Sequence, residues 1–336
     1  MGNSSPQIKL INKQQTMCIL LATTAHPQYE LILISNRDEF FERKTHVSCW
    51  HNDDFILSPF DMAKSCELHE KKIFGTWIGI NRDAKIATIL NLKLESQLDL
   101  KQLVKPQSRG MIPFVFLSEH DSDFNKWDTY EKFDGKYNYL RKTGDFNFFY
   151  GDPLNDEYRI IDSKGNTFKV LSGDPYLTVS NDMFATGGIT VERASNNRIA
   201  EWRKIKFGKI LLQDLVEESK SLDEDMLIEK CFKLASTCSV QPKENTKFNQ
   251  NSTLPMETIF VPPLECEVND DIGTSLSVGK YYGTRSQIVI LISKNHERVK
   301  LVEHILYTSD NDIQHYSSTN PKEVKSFEFK PNIQKN

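Results

Sequence analysis

Cys18-Ile-Leu-Leu-Ala-Thr-Thr24 and Leu31-Ile-Leu-Ile-Ser-Asn36-Arg37-Asp38-Glu39 decide the fold of this chain. Each is a short apolar run, and His26-Pro27-Gln28 lies between them as a polar turn. Runs of this length bounded by turn residues predict two paired, buried strands. In such a hairpin the end of the second strand returns beside the start of the first, so Arg37 and Asp38 approach Cys18. Working outward, Trp77-Ile-Gly-Ile-Asn81 and Ile86-Ala-Thr-Ile-Leu-Asn91 predict a second hairpin across Arg82-Asp83-Ala84-Lys85. Residues 42–75 show little periodicity and are expected to form a long loop, a type of segment that often carries function.

Further along, Ser108 is expected to cap a helix through Leu117, with Pro113 near its first turn. Strands are expected at Phe146–Tyr150, Tyr158–Ile161, Thr167–Leu171 and Tyr176–Asn181. The stripe Ile199, Trp202, Ile205, Ile210, Leu211 and Leu215 predicts an amphipathic helix over 192–218. A second helix is expected from the capping-box pattern Ser221-Leu-Asp-Glu224 to Ala235. Residues 241–256 are expected to be an excursion loop, because Gln241–Leu254 carries too little apolar surface to pack. Strands return at Glu257–Val261, Ser286–Ile292 and Val299–Glu303. Runs of strands broken by a few amphipathic helices predict an α+β fold, with mostly antiparallel sheets and helices outside them. We expect one domain over 17–310, a disordered extension over 1–16 and a partly irregular segment over 311–336.

Acidic and basic residues number 46 and 42, so no global field draws nucleic acid or an anionic membrane to the protein. A hydrophobic content of 38% is enough for a substantial core. The six cysteines are scattered and too sparse for a disulfide scaffold, which fits a reducing compartment. Residues 1–17 hold no signal-peptide h-region, and no apolar run is long enough to span a bilayer. Met1-Gly2 opens like a myristoylation signal, but Pro6 stands where that signal needs Ser or Thr. A cytoplasmic protein is expected, with association with an organelle as the alternative.

Cys18 on its own reads as a buried core residue, the usual fate of a free cysteine. Met17 directly before it changes the weighing. If Cys18 becomes the first residue, its thiol and a free α-amine share one carbon skeleton. An amine with an ordinary pKa of about 7.7–8.0 then serves as the base for its own nucleophile. Asp38 could orient that amine, and the Arg37 guanidinium favours thiolate over thiol. Asn91 and Asn181 end their strands and could supply amide donors to a tetrahedral oxyanion, although either could equally be a turn residue. Arg285, in Gly283-Thr284-Arg285, offers another cation, though at a strand entry it is most often solvated.

Met17-Cys18-Ile19, Asn36-Arg37-Asp38-Glu39-Phe40, Gly75-Thr76-Trp77-Ile78-Gly79, Leu90-Asn91, Ser180-Asn181 and Tyr282-Gly283-Thr284-Arg285 together resemble the successive signature blocks of the NRDE family, also called the transport and Golgi organisation 2 family. The resemblance spans most of 17–310. It implies a four-layer αββα sandwich of the N-terminal-nucleophile (Ntn) hydrolase type, related to choloylglycine-type amidases. By the same resemblance Cys18 is the nucleophile, Arg37 and Asp38 its activating pair, Asn91 and Asn181 the oxyanion-side amides, and Arg285 a guanidinium near the nucleophile. Asn36 and Trp77 are then candidates for a ligand cleft. The family is associated with Golgi organisation, protein secretion and the handling of haem or lipid-like acyl compounds, so the organelle that the resemblance implies is the Golgi. The implied partner is an amphipathic small molecule, such as an acyl thioester, lipid or haem, with no cofactor required and haem only as a bound ligand. The alternative is an amidohydrolase or thioesterase that uses Cys18.

A third reading uses the 42–75 segment, where Cys49-Trp-His51 and Cys66-Glu-Leu-His69 offer two sulfurs and two imidazoles to zinc or haem iron. Their spacing matches no compact finger, and scattered ligands in a loop more often do nothing special. His26 and His46 are weaker candidates still.

Overall fold

The computed structural model describes residues 17–63, 65–68, 71–92, 108–118, 126–137, 146–163, 165–182, 184, 202–243, 246–249, 252–267 and 279–332. The expected extension over 1–16 lies outside them. In chain order the strands are β1 (Ile19–Thr23), β2 (Tyr29–Phe40), β3 (Thr45–His51), β4 (Ile56–Asp61), β5 (Ser65–Leu68), β6 (Lys71–Phe74), β7 (Ile78–Asn81), β8 (Ile86–Asn91), β9 (Phe146–Asp152), β10 (Glu157–Asp162), β11 (Thr167–Lys169), β12 (Tyr176–Ser180), β13 (Lys247–Phe248), β14 (Leu264–Cys266), β15 (Tyr281–Ser293), β16 (Val299–Ile305) and β17 (Glu323–Phe329). The helices are α1 (Met111–Leu117), α2 (Tyr130–Tyr137), α3 (Arg203–Ser219), α4 (Glu224–Ala235) and α5 (Leu254–Glu257).

The first sheet runs β12-β1-β2-β15. On its far edge β15 pairs with β16, which carries β17, and near Tyr281 and Tyr282 with β14, which carries β13. The second sheet runs β11-β10-β9-β8-β7-β4-β3, and β5 and β6 form a separate hairpin. All of these pairings are antiparallel except β13 with β14.

Strand alternation determines the layers. Leu31 and Leu33 of β2 join Leu20, Ile288 and Ile290 against Ile78, Ile80, Ile86 and Phe149 of the second sheet. Ile32 and Ile34, on the opposite face of β2, pack with Leu212 and Leu215 of α3 and with Leu227 and Cys231 of α4. The outer face of the second sheet, with Ala87, Ile89, Phe148 and Tyr150, is covered by α1 and by Phe133 of α2. The two sheets therefore face each other, with helices outside both. Each aliphatic side chain buried in these layers contributes about 1.5–3 kcal/mol.

Both expected early hairpins form, with Ile19 opposite Asn36 and Ile78 opposite Thr88. Five expectations are corrected. Residues 42–75 are not a long loop, because β3 and β4 pair within them and β5 pairs with β6. Their signal was masked by an irregularity between His46 and Cys49 and by a turn in which Asn52, Asp53 and Asp54 all take positive φ, a conformation that Asn and Asp tolerate. Residues 258–261 form no strand: the Phe260 N–H donates to Thr237 O (3.0 Å) and the Val261 N–H to the Thr284 hydroxyl (2.8 Å). Gly110, not Ser108, stands at the N-cap of α1, and Asp223, not Ser221, caps α4 by accepting from the Met226 N–H at 2.9 Å. Within 241–256, Phe248 is buried and stacks on Tyr282 with ring centroids 3.8 Å apart. Beyond residue 310, β17 extends the first sheet.

Candidate functional site

At the end of the sheets where β1 begins and β2 runs on, a pocket of about 100 Å³ opens, with Cys18, Arg37, Asp38, Trp77 and Asn91 among its walls. The β1–β2 register places Cys18 opposite Arg37. The far wall depends on two glycines. A Cβ on Gly75 would come within 2.6 Å of Gly110 C, and only without one can the Thr76 N–H donate to Gly110 O at 3.0 Å. That crossing brings Trp77 and Arg109 to the same pocket.

Arg37 and Glu39 follow Leu31 and Leu33 onto the face between the sheets. There the Arg37 guanidinium lies 4.1 Å from the Trp77 ring centre, donates to the Thr45 hydroxyl (3.1 Å) and stands 3.6 Å from Glu39. Arg43 lies 3.3 Å from Glu39 and 2.6 Å from Asp61. Burial alone would pull Arg43 down, but Glu39 and Asp61 together hold it above its ordinary value. Asp61 goes the other way: burial is outweighed by Arg43 and Arg37, which hold its carboxyl below the usual range.

Asp38 follows Ile32 and Ile34 to the helix side. Its Oδ1 accepts from the Thr284 hydroxyl at 2.7 Å, and its buried Oδ2 has no hydrogen-bond partner. Burial pushes this carboxyl up to about 7, against the pull of Lys204 and the Thr284 hydrogen bond. Lys204, on the buried stripe of α3 with Gly208, Leu212 and Leu215, donates to Met17 O at 2.7 Å and Cys18 O at 3.3 Å. Burial pulls it down to about 8, although Asp38 and Cys18 oppose that shift. The Ser180 hydroxyl also donates to Cys18 O (2.7 Å), and the Met17 N–H donates to the Tyr282 hydroxyl (2.9 Å). Cys18 is half-buried, with its Sγ 3.9 Å from Asp38 O. Burial first, and then the Asp38 charge, push its thiol up to about 12. With Met17 attached, Cys18 is therefore a protonated thiol and a poor nucleophile at neutral pH.

Five of the sequence candidates, Cys18, Arg37, Asp38, Trp77 and Asn91, line one pocket. Asn36 does not join them. It points to the helix side, and its side-chain N–H groups bind Ala235 O (2.7 Å) and Ile259 O (2.9 Å), so its place in a ligand cleft is corrected to that of a strut beneath α4. Asn181 is buried behind Asn91, with its amide donating to the Asn91 carbonyl. Asn147 makes a similar tie from β9 to Ser180 O (3.1 Å), so two asparagines join the sheets beside the pocket. Arg285 is buried and does not line the pocket. Its guanidinium donates to Tyr307 O (2.8 Å), to the Thr45 hydroxyl (3.1 Å) and to the Arg43 carbonyl. Burial and then Arg37 hold it down at about 9.

Of the loop ligands, Cys49 lies 3.7 Å from His46 Nδ1, and His51 Nε2 is 2.7 Å from the Ser58 hydroxyl. Burial holds His51 at about 4. The Cys66 side chain and His69 lie outside the described residues, and no group of three His, Cys, Asp or Glu among those described could hold a metal ion. His26 is buried on the turn after β1, where its Nδ1 accepts from the Gln28 N–H at 3.2 Å.

Sequence reasoning missed Lys204, Tyr282, Thr284 and the Arg43–Asp61 pair. One signal could have found Lys204: it is the lone charge at the head of the 204, 208, 212, 215 helical stripe.

The family model described as Transport and Golgi organisation 2 matches residues 17–308. An uncharacterized protein of Saccharomyces cerevisiae is 51% identical over 325 residues, which is 94% of this chain and 100% of that protein. The Transport and Golgi organization protein 2 homolog of Homo sapiens is 28% identical over 324 residues, covering 90% of this chain and 92% of that protein. Among solved structures, the N-acylethanolamine-hydrolyzing acid amidase ortholog of Caenorhabditis elegans aligns with a TM-score of 0.37 and 14% identity, over 68% of this chain and 88% of that one. No helix among the described residues is long and apolar enough to cross a membrane.

Proposed function

This chain belongs to the Transport and Golgi organisation 2 family, and we propose that its Cys18 pocket binds the carbonyl end of an amphipathic acyl compound and attacks that carbonyl in chains that begin at Cys18. The observation that carries the reading is the convergence of the Cys18 thiol, the half-satisfied Asp38 carboxyl and Lys204 at one strand start. Two facing sheets with helices outside them, and a cysteine directly before the first strand, support an Ntn-hydrolase-type sandwich as its frame.

The pocket is well below the roughly 300–1,000 Å³ that encloses a drug-sized ligand. It admits an acyl carbonyl and its neighbours, and the tail lies outside. Arg37 and Trp77 form one wall for the head of the ligand. With Met17 attached, residue 18 has an amide in place of an amine and its thiol stays protonated, so the site only binds. With residue 18 first, the amine accepts the thiol proton, the thiolate adds to an amide or thioester carbonyl, and the leaving group departs with that proton to give an acyl-enzyme. Water then releases the acid. We place this activity in the cytoplasm, in the transport and Golgi organisation that the family name denotes.

The test is incubation of the chain beginning at Cys18 with an octanoyl thioester, followed by mass spectrometry. The expected result is one acyl group per chain, on Cys18, abolished by Cys18→Ala and slowed by Asp38→Asn. Equal acylation of Cys49 would overturn the catalytic reading.

A further inference from the structure

Lys204 is fully buried on the stripe by which α3 packs onto the first sheet, a position that calls for an apolar side chain. Its Nζ lies 5.6 Å from the Trp202 ring centre and reaches the backbone of residues 17 and 18. A buried ammonium is costly unless something there needs its charge. The oxygen and nitrogen of one peptide group are about 2.2 Å apart, so Nζ, at 2.7 Å from Met17 O, lies within about 5 Å of the residue-18 nitrogen. We infer that Lys204 keeps the α-amine of a chain beginning at Cys18 in its uncharged, proton-accepting form. This inference rests on the reading of Cys18 proposed above.

The groups around that nitrogen set the sign. From β2 come Asp38, with its unpartnered Oδ2, and beyond it Glu39 and Arg37. From β15 comes the Tyr282 hydroxyl, which accepts from the Met17 N–H, with Thr284 behind it on Asp38; from β12 comes the Ser180 hydroxyl, and from α3 the Lys204 ammonium. An amine facing Asp38 alone would be held charged, because an opposite charge raises its pKa, and a charged amine cannot take the thiol proton. Lys204 places a like charge on the other side and offsets the carboxylate, while burial adds a further penalty on a second cation. With its own value near 8, Lys204 is mostly charged at pH 7. The transfer then balances: the Sγ–H bond breaks, an N–H bond forms on the amine, and the new thiolate faces Lys204 and Arg37. Lys204 acts through the amine and is a positioning residue. It also stands outside the sequence blocks that mark the family.

A merely structural lysine would leave the titration of the amine unchanged, and this is what the experiment reads. The chain beginning at Cys18 retains every described element, and circular dichroism against the full chain checks that it folds. With cysteine ¹⁵N-labelled, NMR follows the α-amine, and mass spectrometry follows the rate of Cys18 alkylation by iodoacetamide from acid to alkaline pH. The amine is expected to titrate at or below neutrality. Lys204→Met should raise both midpoints by about one pH unit or more and slow alkylation at pH 7 about tenfold, while Lys204→Arg keeps the native profile. A Lys204→Met profile that matches the wild type overturns the inference, as does a wild-type amine titrating at about 8 or higher, as a free amine does. Even if Lys204→Met does not fold, a wild-type amine titrating at about 8 or higher, or a Lys204→Arg profile that departs from the wild type, overturns the inference. An amine that titrates low beside an inert Cys18 thiol would support Lys204 and sink the catalytic reading instead.

Discussion

Along β2, Arg37 and Glu39 look into the space between the sheets, while Asp38, between them in sequence, looks toward α3. On the inner face Arg37 and Arg43 each have a carboxylate within 3.6 Å, and Arg43 and Asp61 are both shifted toward their charged forms. On the outer face Asp38 and Lys204 are both shifted toward their neutral forms, because burial outweighs their mutual attraction. Composition does not separate the two faces. What differs is direct pairing: the inner ions meet one another, whereas Lys204 uses its hydrogen bonds on backbone carbonyls and Asp38 takes its one from Thr284. Paired charges hold a structure together, and unpaired buried charges store reactivity.

The largest expected loss of stability comes from breaking the inner web. Glu39 serves both Arg37 and Arg43 and is 4% exposed, so Glu39→Gln leaves the buried Arg37 guanidinium without its carboxylate and Arg43 with Asp61 alone, and should cost about 3 kcal/mol in urea unfolding at pH 7. A loss below about 1 kcal/mol, the range of exposed pairs, would mean that the web is not what sustains that face. The outer face should respond in the opposite sense. The folded value of Asp38, about 7, lies above its ordinary 3.8, so its contribution to stability is full below 3.8 and is lost as pH rises through 7. Asp38→Asn, which keeps the acceptor for Thr284, should therefore be the more stable protein at pH 8, by up to about 4 kcal/mol. The pull of Lys204 on the carboxylate is already contained in the folded value. The advantage should vanish as unfolding is repeated toward pH 4, and a constant gap would break the argument. The same variant acylates more slowly, a trade of reactivity for stability.

The hairpins that frame the site were legible because β1, β2, β7 and β8 are short apolar runs between turn residues. Contiguity misled where alternation mattered. Asn36-Arg37-Asp38-Glu39 reads as one cluster, yet a period of two sends Asn36 to a carbonyl pair under α4 and Arg37 into the pocket. Arg285 was expected beside Cys18, but the β2–β15 pairing shifts register between Thr284 and Ser286, and its guanidinium turns to the carbonyls of Arg43 and Tyr307. The apolar run at 258–261 looks like a strand locally. What places it is hydrogen bonding to Thr237 and Thr284, which are distant in sequence. Lys204 is marked in the sequence only by standing alone as a charge on its helical stripe, and packing shows that this face of α3 is the buried one.

The smallest effect sharpens the contrast most, because it reverses a slope. Asp61 accepts from Arg43 Nη2 at 2.6 Å and Nε at 3.2 Å and from the Ala63 N–H at 2.9 Å, with 17% of its side chain exposed. Its folded value is depressed, so its contribution is present above 3.8 and is lost as pH falls through the folded value. Asp61→Asn should cost about 1 kcal/mol at pH 7 and approach nothing in strong acid, as thermal melts at the two pH values would show. Asp38→Asn and Asp61→Asn are the same chemical change on two carboxyls that Arg37 separates, and only their partners differ. If the two variants changed with pH in the same direction, the difference between the faces of β2 would lie in overall charge and not in pairing, and the basis for assigning reactivity to the outer face would go with it.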